Sequence, residues 1–111
     1  MQIDYFTRKI KKHRISKDIR IEQLKDIVKI NKKSVLIDVR SPLEFSEGHL
    51  NGAINIPLYE LEACCECKLK DKNEIIIIYC QSGIRSRRAI RILESHQFKN
   101  LYNLKGGLDA I

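Results

Sequence analysis

Apolar positions follow two rhythms along this chain. Ile21, Leu24, Ile27 and Val28 share one helical face, so Ser16 to Ile30 reads as a short strand or turn followed by an amphipathic helix. Asn31-Lys32-Lys33-Ser34 is a polar connection to Val35-Leu36-Ile37-Asp38-Val39, an apolar, β-branched run that predicts a buried strand. Ser41 and Pro42 fit a cap and first helical position. Gly48 and Gly52 bracket a turn, and Ala53-Ile54-Asn55-Ile56 is a short strand stopped by Pro57. Helix is expected from Leu58 to about Lys70. Glu74–Tyr79 is the clearest strand, with the continuous apolar character of a parallel strand covered on both faces. A loop over Cys80–Ile84, a helix over Arg85–His96, a strand over Leu101–Leu104 and a break at Gly106-Gly107 follow. Strands alternating with helices predict an α/β domain of three layers, a mostly parallel central sheet flanked by helices.

Length and composition leave room for one such domain. The chain has 111 residues, 43% of them apolar, enough for a modest core without metals or disulfides. Charge divides it unevenly. Residues 1–33 hold eleven Lys/Arg against four Asp/Glu, whereas residues 34–111 hold ten of each, so the whole net charge of +7 belongs to the N-terminal third. Residues 1–17 are therefore set apart as a basic N-terminal extension, with Ile3, Phe6 and Ile10 at helical spacing, and residues 18–111 as the domain. The extension is either a short helix or tail on the domain, or a basic arm for a membrane surface or an acidic partner. A neutral body disfavours general nucleic-acid binding. Apolar runs of about five residues fall far short of the roughly twenty that span a bilayer. With no apolar leader block either, a cytoplasmic protein without a transmembrane segment is expected, acting as a monomer.

The chemistry is concentrated where the clearest strand ends. Cys80 sits at its carboxyl end, followed by Gln81-Ser82-Gly83-Ile84 and then Arg85 at the start of a helix. In open α/β sheets ligands bind at this end. The N–H groups of a tight loop and of a helix N-terminus converge there on anions. Such surroundings, with an arginine that cannot lose its charge, favour the thiolate and make Cys80 a candidate nucleophile toward a sulfane sulfur or a phosphate. The plain structural alternative is a small, inert cysteine closing a strand.

Four segments in order resemble the rhodanese family. They are Leu36–Arg40, Glu44–Pro57, Ile77–Ser86 and Leu104–Ala110, and the match spans roughly residues 18–111. The resemblance implies a sulfurtransferase in which Cys80 takes sulfur from a donor such as thiosulfate and holds it as a persulfide. Gln81, Ser82, Gly83, Ile84 and Arg85 would form the substrate-binding loop, and a protein or small thiol would accept the sulfur. Asp38 and Arg40 would support the loop and its neighbouring helix, with Glu44 a plausible partner for Arg40. His49 matches a structural position and is not assigned as a base. No cofactor or metal is implied. Phosphatases on this fold carry Cys-x5-Arg, while the Cys80-x4-Arg85 spacing resembles the sulfurtransferases. A phosphatase or arsenate reductase is thus one alternative, and a non-catalytic binding or signalling module another. Where the family commonly has a tryptophan, with three residues between it and the Gly-Gly turn, this chain has Ile111, so a closing strap is expected to be absent or replaced, for instance by the N-terminal extension.

Cys64, Cys65 and Cys67 are the second departure. Cys64 and Cys67 have zinc-like spacing, but no second pair follows, and His49 and His96 are distant in sequence. They are read as incidental, with a sulfur relay from Cys80 as the sharper alternative.

Overall fold

Ile75–Tyr79 forms the middle strand of a five-stranded sheet, in a computed structural model that describes residues 16–111. The elements run β1 (Ser16–Ile19), α1 (Ile21–Ile30), β2 (Val35–Asp38), α2 (Pro42–Glu47), β3 (Ile54–Asn55), α3 (Leu58–Lys68), β4 (Ile75–Tyr79), α4 (Ile84–Ser95) and β5 (Asn100–Leu104), closed by a 3-10 turn at Gly107–Ala110. The sheet order is β1-β5-β4-β2-β3, and every pairing is parallel. The predicted α/β architecture is therefore the one the chain adopts. Helix α4 starts one residue earlier than its spacing suggests, because Gly83 takes the cap. Strand β1 opens at Ser16, so Ser16 and Lys17, grouped above with the extension, are sheet residues. The rest of that extension, Met1–Ile15 with its helical spacing, lies outside the described residues.

Successive side chains of a strand point to opposite faces, and β4 uses both. Ile76 and Ile78, with Cys80 just beyond, pack with Leu61, Cys65, Ala89, Ile90 and Leu93 of α3 and α4. Ile77 and Tyr79 pack on the other face with Leu24 of α1 and Leu36, Leu104 and Leu108. This two-sided burial is why the run is continuously apolar instead of alternating. The register sets the ends of β2 and β4 level, pairing Asp38 with Tyr79. The backbone then continues the alignment, with the Val39 amide donating to the Tyr79 carbonyl at 3.1 Å and the Leu58 amide to the Val39 carbonyl at 3.0 Å. Arg40, Leu58 and Cys80 thus meet at one edge of the sheet.

Local signals fix the helix that flanks that edge. The Glu44 amide donates to Ser41 Oγ at 3.2 Å, and the Ser41 amide donates to Glu44 Oε1 at 3.0 Å, a closed capping box with Pro42 at the first helical position. Among the described residues no helix is long and apolar enough to cross a membrane.

Ile77 has no exposed surface and lies in the central strand. Its truncation in Ile77→Ala should cost about 2–5 kcal/mol through lost burial and a cavity. Urea unfolding measures this; a loss under about 1 kcal/mol would show that the two faces of the sheet are not packed as described.

Candidate active site

Cys80 is fully buried, one residue past β4, and its sulfur is turned toward the start of α4. Gly83 sits in the left-handed region at φ 102°, which lets Gln81-Ser82-Gly83 double back over the sulfur. The Gly83 amide donates to Cys80 Sγ at 3.0 Å and the Ser86 amide at 3.4 Å. The Ser86 amide is among the N–H groups that a helix leaves without an internal partner in its first turn. The Ser86 hydroxyl lies 3.6 Å from the sulfur. Burial pushes the Cys80 thiol up, but the amides of Ser86, Gly83 and Ser82 outweigh it, so the thiol ionises below its ordinary value.

The closing turn clamps the loop from behind. The Leu108 amide donates to the Cys80 carbonyl at 3.0 Å, the Asp109 amide to the Gln81 carbonyl at 2.9 Å, and Gln81 Nε2 to Asp109 Oδ1 at 2.7 Å. Gly107 makes this approach possible: a Cβ there would stand 2.6 Å from the Gln81 carbonyl oxygen and nearer still to that of Cys80. The sequence marks Gly107, Leu108 and Asp109 only as a chain break and closing segment; their bearing on the loop has no local sequence signal.

Asp38 and Arg40 form a buried ion pair, not a solvated one. Arg40 Nη2 donates to Asp38 Oδ2 at 2.8 Å and to the Gly48 carbonyl at 2.6 Å, and Arg40 Nη1 lies 3.5 Å from Gln81 Oε1. Glu44 is not its partner. Glu44 instead takes Arg85 in a two-pronged pair, with Nη1 donating to Oε1 at 2.7 Å and Nη2 to Oε2 at 3.0 Å. Arg85 first, then the Ser41 amide, pulls the Glu44 carboxyl down to about 2. Arg40 folds back on Asp38, two residues earlier, before α2 begins, which leaves Glu44 free to reach across the site. Beside Arg85 lies a cleft of about 390 Å³ bordered by Val39, Ser41, Pro57, Tyr59 and Arg88.

Of the residues singled out in the sequence, Cys80, Gln81, Gly83 and Arg85 converge here with Asp38 and Arg40. Ser82 is exposed and contributes its amide. Ile84 is 70% exposed and begins α4. His49 gives Nδ1 to the Phe45 carbonyl region at 2.8 Å and stacks on the Phe45 ring.

The three clustered cysteines lie elsewhere. Helices α3 and α4 both start at the Cys80 edge and run away from it. Cys64 is therefore about 9 Å down the axis of α3 from Leu58 at 1.5 Å per residue. Cys65 is buried in the core, and burial raises its thiol. His96 is distant only in sequence: Cys65, Glu66 and His96 bring ligand-type atoms within 4.8 Å of one another. The His96 ring lies between Glu62, at 2.6 Å, and Glu66, at 2.8 Å, and the Lys72 ammonium is 2.7 Å from Glu66.

Residues 21–111 match the family model described as a rhodanese-like domain. The chain is 44% identical over 81 residues to the uncharacterized protein YqhL of Bacillus subtilis (strain 168), covering 68% of this chain and 59% of that protein. It is 39% identical over 82 residues to the tRNA uridine(34) hydroxylase of Buchnera aphidicola subsp. Baizongia pistaciae (strain Bp), covering 70% of this chain but 26% of the relative. It thus spans less than two thirds of the length of both. It is also 39% identical over 75 residues to the thiosulfate sulfurtransferase PspE of Escherichia coli (strain K12), covering 68% of this chain and 71% of that one. A solved rhodanese with anions from E. coli superposes with a TM-score of 0.64 at 37% identity, over 70% of this chain and 91% of the other. By the matched region and the shared architecture, this chain belongs to the rhodanese-like domain family.

Proposed function

We propose that this protein is a sulfurtransferase that carries a sulfane sulfur on Cys80. The observation that carries this is the buried Cys80 sulfur accepting N–H groups from Gly83 at 3.0 Å and Ser86 at 3.4 Å. A thiolate held by backbone donors needs no separate base to react. It attacks the outer sulfur of thiosulfate, the S–S bond of the donor breaks, and sulfite leaves with the electron pair. Cys80 is left as a persulfide. An acceptor thiolate then attacks the outer sulfur, the Cys80–sulfur bond breaks, and the Cys80 thiolate returns. No net oxidation occurs. The same amides that stabilise the thiolate stabilise it as the leaving group in the second half.

The other residues take supporting parts. The amides around Gln81, Ser82 and Gly83 and the first turn at Ile84 shape the bowl. The charge of Arg85, steadied by Glu44, attracts the anionic donor from the adjoining cleft. The Asp38–Arg40 pair braces Gln81 and the segment after α2. The likeness to PspE supports a donor of the thiosulfate kind. A reactive thiolate of this type fits the reducing cytoplasm.

Incubation with thiosulfate should add the mass of one sulfur atom to the peptide containing Cys80, and Cys80→Ser should abolish it. Mass spectrometry that finds the sulfur on Cys64, Cys65 or Cys67 instead would overturn the assignment.

Because Cys80 ionises below the ordinary thiol value, its thiolate persists to lower pH than that of a free cysteine. The midpoint of the loading rate against pH should therefore lie below that of a free cysteine, about 8.5. A midpoint at or above that of a free cysteine would contradict the amide-held thiolate.

Arg85→Ala should raise the apparent KM for thiosulfate about tenfold, the scale of one lost charge-assisted contact. Its urea midpoint should move little, since a half-exposed ion pair contributes at most about 1 kcal/mol. Unfolding in place of a KM change would assign Arg85 to structure alone.

A further inference from the structure

The Ser86 hydroxyl is fully buried and has one proton with three claims on it. Asn103 Oδ1 lies 2.6 Å away, the Gly83 carbonyl 3.0 Å and Cys80 Sγ 3.6 Å. The direction of the nearest of these bonds is set from further out. Asn103 Nδ2 donates to Asp18 Oδ1 at 3.0 Å. An ionised carboxylate only accepts, so it requires the NH2 end of the Asn103 amide and turns the carbonyl end toward Ser86. The parallel register makes this contact direct, because Asp18 on β1 is the paired neighbour of Asn103 on β5.

We propose that Asp18, Asn103 and Ser86 form a one-way hydrogen-bond chain that positions a proton on the Cys80 sulfur and moderates its ionisation. Every donor points outward: the thiol to Ser86 Oγ, the Ser86 hydroxyl to Asn103 Oδ1, and the Asn103 amide to Asp18. Bonds aligned in this sense strengthen one another. When Cys80 loses its proton, the first link has no donor left. The Ser86 hydroxyl can turn to the sulfur only by deserting Asn103 Oδ1, which is buried and would lose its partner. The chain therefore opposes the amides of Ser82, Gly83 and Ser86, which favour the thiolate.

Such a brake has a chemical use. The intrinsic nucleophilicity of a thiolate falls as its thiol becomes more acidic. An amide bowl alone would drive Cys80 toward a stable but sluggish anion, and the chain returns part of its basicity. Other charges facing the sulfur are already matched. Arg85 of α4 is paired with Glu44 of α2, Arg40 with Asp38 at the end of β2, and Asp109 of the closing turn is hydrogen-bonded to Gln81. Asp18 is exposed on its strand, so it can be replaced without opening the core.

The inference rests on Cys80 being the reacting sulfur, but its test does not use sulfur transfer. The rate of iodoacetamide modification at Cys80 is followed against pH by peptide mass spectrometry in the full chain. In Asp18→Ala nothing fixes the Asn103 amide, and the Ser86 proton is released to the sulfur. Cys80 modification on the acid side of the profile should rise about tenfold, the scale of one hydrogen bond to a charged group, while the plateau at high pH should fall. Asp18→Glu, which still accepts, should restore the parent profile. The shift should persist in about 1 M salt, where the field of an exposed charge is screened over a few ångströms. An unchanged or raised midpoint in Asp18→Ala, a shift abolished by salt, or an Asp18→Glu profile like that of Asp18→Ala would each overturn the chain. Failure to load sulfur on Cys80 would instead sink the proposed function and leave this profile standing as a property of the thiol.

Discussion

A sulfur atom buried at the end of a strand can ionise only where fixed donors replace the water it has lost. In this protein those donors are backbone amides, and most of the surrounding structure follows from bringing them within reach of Cys80. The loop must reverse direction within three residues, which requires the left-handed Gly83. Helix α4 must begin at once, so that the Ser86 amide, free of any intrahelical bond, faces back to the sulfur. The carbonyls of Cys80 and Gln81 must point away from it, and the closing turn takes them at 3.0 and 2.9 Å. Gly107 permits that approach because nothing larger fits against the two carbonyls. A segment more than twenty residues downstream is thus part of the bowl.

The ion pairs around the bowl solve a related problem. Long cationic side chains at a strand edge would ordinarily spread into solvent. Asp38 holds Arg40 inside the structure, and Arg40 spends its remaining donors on the Gly48 carbonyl and Gln81. Glu44 caps α2 and grips Arg85 with the same carboxylate. One acidic group therefore sets both the start of a helix and the place of a cation belonging to another helix. The pair is partly exposed, so its value lies in direction more than in stability.

These arrangements differ in how far the sequence announces them. The β4 run, Cys80 at its end, Gly83 and the start of a helix are contiguous, and their meaning depends only on local backbone preferences. That is why the sheet and the loop could be read before any coordinates. The partner of Arg85 could not, because Glu44 is 41 residues away but close to Arg40 in sequence. Helical spacing favours the wrong choice, since Arg40 lies before the helix and turns back on Asp38. His96 is distant from the clustered cysteines only in sequence, because two helices of similar length leaving the same edge bring their far ends together. Asn103 reads in the sequence only as part of the last strand; a polar side chain in a buried strand has to be satisfied, but its partners, Ser86 and Asp18, lie on other elements.

Ser86 shows why both kinds of information are needed. The sequence places it one residue past Arg85, where a small residue starting a helix would attract little notice. Its amide and its hydroxyl have opposite consequences for the sulfur beside them. The amide is fixed by the helix and can only donate, so it always favours negative charge on Cys80. The hydroxyl goes where its strongest acceptor is, and at 2.6 Å that acceptor is Asn103. In the proposed sulfur transfer, a nucleophile that must also serve as a leaving group gains from this division. Strong donation alone would ease departure and weaken attack, and a neutral pocket would do the reverse. By assigning one influence to the backbone and the other to side chains that reach the surface at Asp18, the fold makes the balance adjustable at an exposed position outside the bowl.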